Sequence, residues 1–414
     1  MANIIPFRGI RPCGSKAHLI PSKPVDSYTK VELQTTLEEN PDSFLHIIHP
    51  DFKDGQPTEP GSLDRLLKIS KRYKNFIQEG LLVQDQQPSY YIYKQINGSN
   101  SYTGIIACIH TDDYYNGVIK IHEQTLTDRE EKLKSYLDIC NFNAEPVLFS
   151  YPNHRSIDNL TATIVASSPT IAFTSTDGVF HQLWVMEDHT VVSELKQHFA
   201  SLKCVYIADG HHRSASSALL GKQRSKLDPH FTNGKNYNYY LGIFFPETQL
   251  KIFDFNRVVK DLNGLSDEVF LNILALQFHV TCYHQVLYKP SHLHDFCMYL
   301  NGNWYKLTPK EGIVNDANPT GSLDATILSQ FILGPILGIV DLKTDRRVGF
   351  SSGIKGLEDI QLRVDNGSAK AGFGLFPVGM DQLKAIADTG NIMPPKTTWI
   401  EPKMRNGLVI YDLN

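Results

Sequence analysis

A chain of 414 residues with 41% hydrophobic and 20% charged side chains is long enough for two or three domains and has the composition of a folded core, not of a disordered chain. Forty Lys+Arg against 44 Asp+Glu leave a net charge of −4, which disfavours a protein whose affinity rests on neutralising nucleic-acid phosphates. The six cysteines, at 13, 108, 140, 204, 282 and 297, form no C-x-x-C pair, which speaks against a thiolate zinc site or a disulfide framework and fits reduced thiols.

The first apolar residues are interrupted by Pro6 and Arg8, unlike a signal peptide, and no run of about 18 apolar residues follows, so no membrane span and a cytoplasmic location are expected. A helix is predicted around Lys30–Glu39. A second is predicted where Leu63, Leu66, Leu67, Tyr73, Phe76 and Ile77 recur at helical spacing, with Gly80 as its stop. Tyr90–Ile96 and Tyr102–Ile109 are β-type runs joined by Asn97-Gly98-Ser99-Asn100, a hairpin turn. Asp128–Tyr136 reads as a charged, solvated helix and Pro146–Tyr151 as a strand.

From about residue 164 the pattern is hairpin, helix, strand, turn, helix. Thr170–Thr174 and Val179–Met186 flank the turn Asp177-Gly178, and Thr190–Leu202 is helical. Lys203–Ala208 is a short apolar strand, and His211–Leu220 is the next helix, with Gly221 beyond its end. Strands at Tyr239–Phe245 and Leu250–Val259 and a helix at Asp267–Leu276 follow. A C-terminal α/β unit spans 262–414, with a broken core helix at 327–340, a strand at Arg347–Ser351 and a helix at Met380–Asp388 closed by Gly390.

The chemistry concentrates in Val205-Tyr206-Ile207-Ala208-Asp209-Gly210-His211-His212-Arg213. Here a buried strand feeds a helix through a glycine. The unsatisfied N–H groups of the first helical turn and the positive end of its dipole form an anion site, which Gly210 lets a ligand approach. His211 and His212 offer further donors, and Arg213 offers a planar fork for phosphate oxygens. Asp209 also suits a plain N-cap, and the histidine pair also suits a solvated helix start. Arg257, at the end of the Leu250–Val259 run, is a second anion-binding candidate, and Lys396 sits in a Pro-Pro-Lys-Thr-Thr loop fit to cover a ligand. No phosphate-binding P-loop, dinucleotide fingerprint or G-x-S-x-G elbow is present.

Ile207-Ala208-Asp209-Gly210-His211-His212-Arg213 resembles the signature of the family catalogued as domain of unknown function 1015. So do Ile5-Pro6-Phe7-Arg8-Gly9-Ile10-Arg11-Pro12, Ser43-Phe44-Leu45-His46-Ile47 and His122-Glu123-Gln124-Thr125. Asp254–Leu262, Met393-Pro394-Pro395-Lys396-Thr397-Thr398, Pro402-Lys403 and Gly407-Leu408-Val409-Ile410 complete the series. Where the family carries a Pro-Pro-Tyr-Asp type turn, this chain has Pro21-Ser22-Lys23-Pro24-Val25-Asp26. The histidine turn is also similar to that of the ParB/sulfiredoxin-like superfamily, and most closely to its free-serine kinases.

The resemblance implies an α/β (α+β) fold with a mixed sheet. A nucleotide-binding core at about 164–261 lies within an N-terminal region 1–261, followed by the C-terminal unit. It further implies transfer of a phosphate from ATP or ADP, with Mg²⁺ held by Asp209, to the hydroxyl of L-serine. Gly210, His211, His212 and Arg213 would position the phosphates and Glu123 would accept the proton. A ParB-like nucleotide-binding regulator, with or without DNA, and a scaffold without turnover are the competing expectations. The C-terminal unit has three open roles: covering the site, recognising the substrate or forming a homodimer interface.

Overall fold

A computed structural model describes residues 1–414 except the side chain of Asp54. The chain divides into two compact units, one made of residues 1–121, 125–250 and 402–414, the other of 122–124 and 251–401. A single cut at 262 does not describe this division, because the chain end returns to the first unit. There Ile10 and Ile410 exchange backbone hydrogen bonds and Tyr411 pairs with Asn143.

The first unit is built on a nine-stranded mixed sheet. In chain order its strands are β1 (Ile4–Ile5), β2 (Tyr90–Asn97), β3 (Asn100–His110), β4 (Ile119–Lys120) and β5 (Val147–Tyr151), then β6 (Ile171–Thr174), β7 (Phe180–Met186), β8 (Val205–Asp209) and β9 (Tyr239–Pro246). The spatial order is β4-β8-β5-β9-β3-β2-β7-β6, with β1 paired to β3. β8 runs parallel to β4 and antiparallel to β5, and β9 runs parallel to β5. The remaining neighbours are antiparallel, and two of these pairs, β2–β3 and β6–β7, are hairpins, as the Asn97–Asn100 and Asp177-Gly178 turns predict. The sheet therefore draws on residues well before 164, so the segment 164–261 is only part of it.

Six of the helices of this unit are α1 (Lys30–Glu39), α2 (Leu63–Gln78), α3 (Thr127–Cys140), α4 (Arg155–Val165), α5 (His189–Ser201) and α6 (His211–Leu227). Thr29 and Glu32 form a reciprocal capping box on α1, and α2 is capped by Ser62 and followed by Gly80 at φ +72°. α4 is not among the predicted helices, although Ile157, Leu160 and Ile164 recur at helical spacing and pack on the core. α6 runs seven residues past its predicted end. Gly221 lies inside it, where an added Cβ would stand 2.9 Å from both Thr111 Cγ2 and the Tyr237 carbonyl oxygen. That glycine permits close packing and is not a C-terminal stop. Core side chains such as Ile105, Phe149, Trp184, Phe199, Ile207 and Phe244 are all at most 3% exposed, and they fix the sheet between α4, α5 and the chain that follows.

The second unit has a six-stranded antiparallel sheet. Its strands are β10 (Phe255–Val259), β11 (Phe278–His284), β12 (Phe296–Leu300), β13 (Asn303–Pro309), β14 (Val348–Ser352) and β15 (Ala371–Gly374), in the order β11-β13-β12-β15-β10-β14. The predicted run Leu250–Val259 is two strands: Lys251–Phe253 pairs with Trp399–Glu401, and only β10 enters the larger sheet. The predicted helix at 327–340 is shorter and starts earlier. A helix at Asp324–Leu328 loosens into a π-type turn at Ser329–Leu333, and the chain continues in turns towards Gly338 at φ +67°. Among the described residues no helix is long and apolar enough to cross a membrane, and all six cysteines are free.

Candidate anion site at the start of a helix

β8 is short and apolar, and Val205, Tyr206, Ile207 and Ala208 are each at most 6% exposed. Its register against β5 shifts between Ile207 and Asp209. Such an irregularity bends a strand and re-aims the side chain that follows it, here Asp209. Gly210 then turns the chain at φ +99°, a conformation that side-chain-bearing residues rarely hold. An added Cβ there would stand 2.9 Å from Arg213 Cζ. The glycine thus serves both the turn and the return of Arg213 across it. α6 starts at His211, and Gly210 supplies no side-chain cap to its first turn.

Small residues let α6 lie close to the sheet: Ser214, Ala215 and Ala218 are buried, and the Ser214 hydroxyl is 2.7 Å from the Tyr240 hydroxyl. His211 is only 3% exposed, so it is part of the floor of the turn. His212 turns to the side: its Nε2 accepts the Leu126 N–H at 3.1 Å. The proton of a neutral His212 then sits on Nδ1. Arg213 is held by three acceptors. Its Nη1 donates to the Pro146 carbonyl, and its Nη2 lies 3.3 Å from Glu145 Oε1 and 3.7 Å from Asp209 Oδ1.

A cation that motif reasoning did not assign completes the group. Lys403 Nζ donates to Asp209 Oδ2 at 2.8 Å. Lys403 stands in one of the sequence blocks noted above, 194 residues from Asp209, and that block was the only signal available for it. Burial alone would raise the Asp209 pKa. The ammonium of Lys403 and the guanidinium of Arg213 outweigh it, with His211 adding to them, and hold the carboxyl down at about 2. Asp209 is therefore ionised throughout the physiological range.

The expected magnesium ligand fits this donor set poorly. The Asp209 oxygen facing Lys403 is bonded to an ammonium, and its other oxygen faces a guanidinium. Among the described residues no cluster of three His, Cys, Asp or Glu side chains is arranged to hold a metal ion. Divalent cations are bound by oxygens left open to them. Phosphate charge at this turn would instead be met by Lys403, Arg213 and the helix start.

Glu123 and Arg257 belong to the second unit. Glu123 is exposed and lies between regular elements, next to His122, whose carbonyl accepts the Met393 N–H at 2.8 Å. Arg257 is fully buried in β10, so neither a surface arginine nor an open anion contact describes it. Its Nη1 donates to the Phe255 carbonyl and its Nη2 to the Pro395 carbonyl at 3.4 Å, and its Nε has no partner among the described residues. Its guanidinium centre lies 5.4 Å from the Phe350 ring centroid, and burial pulls its pKa down to about 10. Lys396 is exposed, with φ +56°.

No curated protein matches the chain. Among solved structures it is similar to a free serine kinase variant in complex with AMP (12% identity over 73% of this chain and 91% of that one, TM-score 0.38). It is likewise similar to C-terminally truncated SbnI from Staphylococcus aureus (12%, 73% and 85%, TM-score 0.38). A conserved hypothetical protein from Pyrococcus furiosus is a third (12%, 74% and 95%, TM-score 0.37). Residues 4–326 match the family model described as "Protein of unknown function (DUF1015)", and the chain belongs to that family.

Proposed function

We propose that this protein is a nucleotide-dependent phosphotransferase that moves the terminal phosphate of ATP or ADP to the hydroxyl of a small acceptor, with free L-serine the first acceptor to try. The observation that carries the reading is the convergence of Lys403 and Arg213 on Asp209 at the start of α6. Two cations, the N–H groups of a helix start and a glycine turn make a concentrated anion site. A lone surface turn has no use for a carboxylate held by a lysine from the far end of the chain. The resemblance of the Asp209–Arg213 turn to that of free-serine kinases supplies the reaction class.

In this reading the acceptor oxygen forms a bond to the transferred phosphorus as the bond to the nucleotide's bridging oxygen breaks. The charge spread over the phosphate is met by Lys403, Arg213 and the helix dipole. Asp209 orients the two cations. Its depressed pKa makes it a weak acceptor of the hydroxyl proton, so it is a poor general base. Glu123 is the proposed base, from the sequence pattern alone, whereas the burial of Arg257 leaves it no part in phosphate binding.

The test offers purified protein ATP or ADP with Mg²⁺ and a panel of free amino acids headed by L-serine. Phosphoserine from the wild type, none from Arg213→Met and a slowed rate from Glu123→Gln support the reading. Nucleotide binding with no phosphorylated acceptor overturns it in favour of a nucleotide-sensing regulator.

A further inference from the structure

A cavity of about 340 Å³ opens in the first unit beside the turn. It lies within the range of small-molecule sites, about 300–1,000 Å³. Arg213 and Ser217 both line it. They are four residues apart on α6 and therefore share a face, one turn of helix from each other. The helix whose start forms the anion site thus continues as a wall of this cavity.

Most of the other walls are apolar, among them the rings of Phe44, Tyr136, Phe142 and Tyr240. A free amino acid would fill little of this space. A flat heteroaromatic ring meets the same walls by stacking and edge contacts. One lining residue is polar and incompletely bonded. Asn406 is 5% exposed, and its Oδ1 has no hydrogen-bond partner among the described residues. Ser22, joined to Asn406 by reciprocal backbone hydrogen bonds, keeps a buried hydroxyl that also lacks one. Buried polar atoms are nearly always bonded, so a donor is missing from this end of the cavity. An asparagine amide carries a donor and an acceptor side by side. That edge pairs with the exocyclic amino group and adjacent ring nitrogen of adenine.

We infer that this cavity is the base subsite of the nucleotide, selective for adenine through Asn406, with the phosphates at the Asp209–Arg213 turn. The inference rests on the phosphotransferase reading for the phosphate end and on the cavity for the base end. Residues Pro24, Val25 and Asp26 line the same cavity.

Equilibrium binding to the full chain, read by calorimetry, separates the two ends with four probes: ADP, UDP, adenosine and inorganic pyrophosphate. ADP is expected to bind at least about tenfold tighter than pyrophosphate and than UDP, the discrimination that one bidentate base contact supplies. Asn406→Leu, checked for an unchanged thermal transition, should erase the ADP preference over UDP and leave pyrophosphate binding intact. Equal affinity for ADP and pyrophosphate overturns the base subsite while the phosphate site stands. Equal affinity for ADP and UDP, both above pyrophosphate, overturns the adenine assignment. Adenosine bound without pyrophosphate upholds the cavity and removes the phosphate reading. Binding of none of the four removes both.

Discussion

Replacing Gly210 by alanine tests the geometry on which the anion site depends. At φ +99° the backbone lies outside the regions open to L-residues. Holding alanine there costs about 1–3 kcal/mol, of which about 0.4–1 kcal/mol is returned by the stiffer unfolded chain. The new methyl would also stand 2.9 Å from Arg213 Cζ. The guanidinium must then yield and weaken its charged hydrogen bond to the Pro146 carbonyl, an interaction worth about 1.5–3 kcal/mol. Gly210→Ala should therefore lower the unfolding free energy by about 2 kcal/mol and weaken pyrophosphate binding. The two causes separate in a double-mutant cycle with Arg213→Ala, measured by urea denaturation. The clash vanishes in that background while the backbone strain remains, so Gly210→Ala should cost about 1 kcal/mol less there. A single variant as stable as the wild type would refute the left-handed turn. A cost identical in both backgrounds would refute the packing of Arg213 over Gly210.

Lys403→Met should weaken pyrophosphate binding about tenfold, the scale of one lost charge-assisted contact. It should also cost stability only where Asp209 is ionised in the unfolded chain. The Asp209 pKa is lowered on folding, so its contribution is present above about pH 4 and is lost as the pH falls towards about 2. With Asp209 41% and Lys403 27% exposed, screening limits the effect to about 1 kcal/mol or less at neutral pH. Denaturation curves at pH 7 and pH 3 that show the same wild-type–variant gap would contradict the pairing. Gly221→Ala should destabilise the protein by about 1 kcal/mol or more, even though alanine is the better helix former. A rise in its thermal midpoint would show that α6 does not press on Thr111 and the Tyr237 carbonyl. His181 is fully buried, 2.7 Å from the Tyr93 hydroxyl through Nδ1 and 3.0 Å from Ser175 Oγ through Nε2. Burial, with a smaller push from Arg405 against the opposing pull of Asp177, drives its pKa down to about 3. Because the folded pKa lies below the unfolded one, the unfolded state binds the extra proton. This group should contribute a fall of about 1.4 kcal/mol per pH unit below about pH 6.5, so the acid slope should be shallower by that amount in His181→Gln.

Elements with a local signature were legible in the sequence. The hairpins at Asn97–Asn100 and Asp177-Gly178, the helix stop at Gly80 and the strand–glycine–helix run at 205–213 each carry their own turn chemistry. What escaped was set by distant partners. Gly221 has the residue type of a helix stop, but its surroundings, Thr111 and Tyr237, make it a close-approach site. The run Leu250–Val259 has uniform β propensity, yet its two halves pair with strands from distant parts of the chain in different sheets. Arg257 has the composition of an exposed arginine and lies at 0% exposure, because the Phe350 ring and the Pro395 backbone lie against its side chain.

The role of Asp209 changes once Lys403 is placed. In the sequence it is the only carboxylate of the turn, and metal ligation falls to it by default. A carboxylate held at about 2 by two cations gives up most of its basicity, and the ammonium at 2.8 Å occupies the oxygen a metal would need. What remains is orientation. Arg213 and Lys403 arrive from an adjacent helix turn and from the chain terminus, and a shared carboxylate keeps both at one point. In an empty site Asp209 balances part of their charge, and an arriving phosphate competes for the same donors. Asp209→Asn tests that competition: it removes the rival anion but also the group that aims the two cations. If Asp209 orients, the asparagine variant binds pyrophosphate no more tightly than the wild type and loses phosphoryl transfer. If it merely balances charge, the asparagine variant binds pyrophosphate more tightly than the wild type and transfer survives.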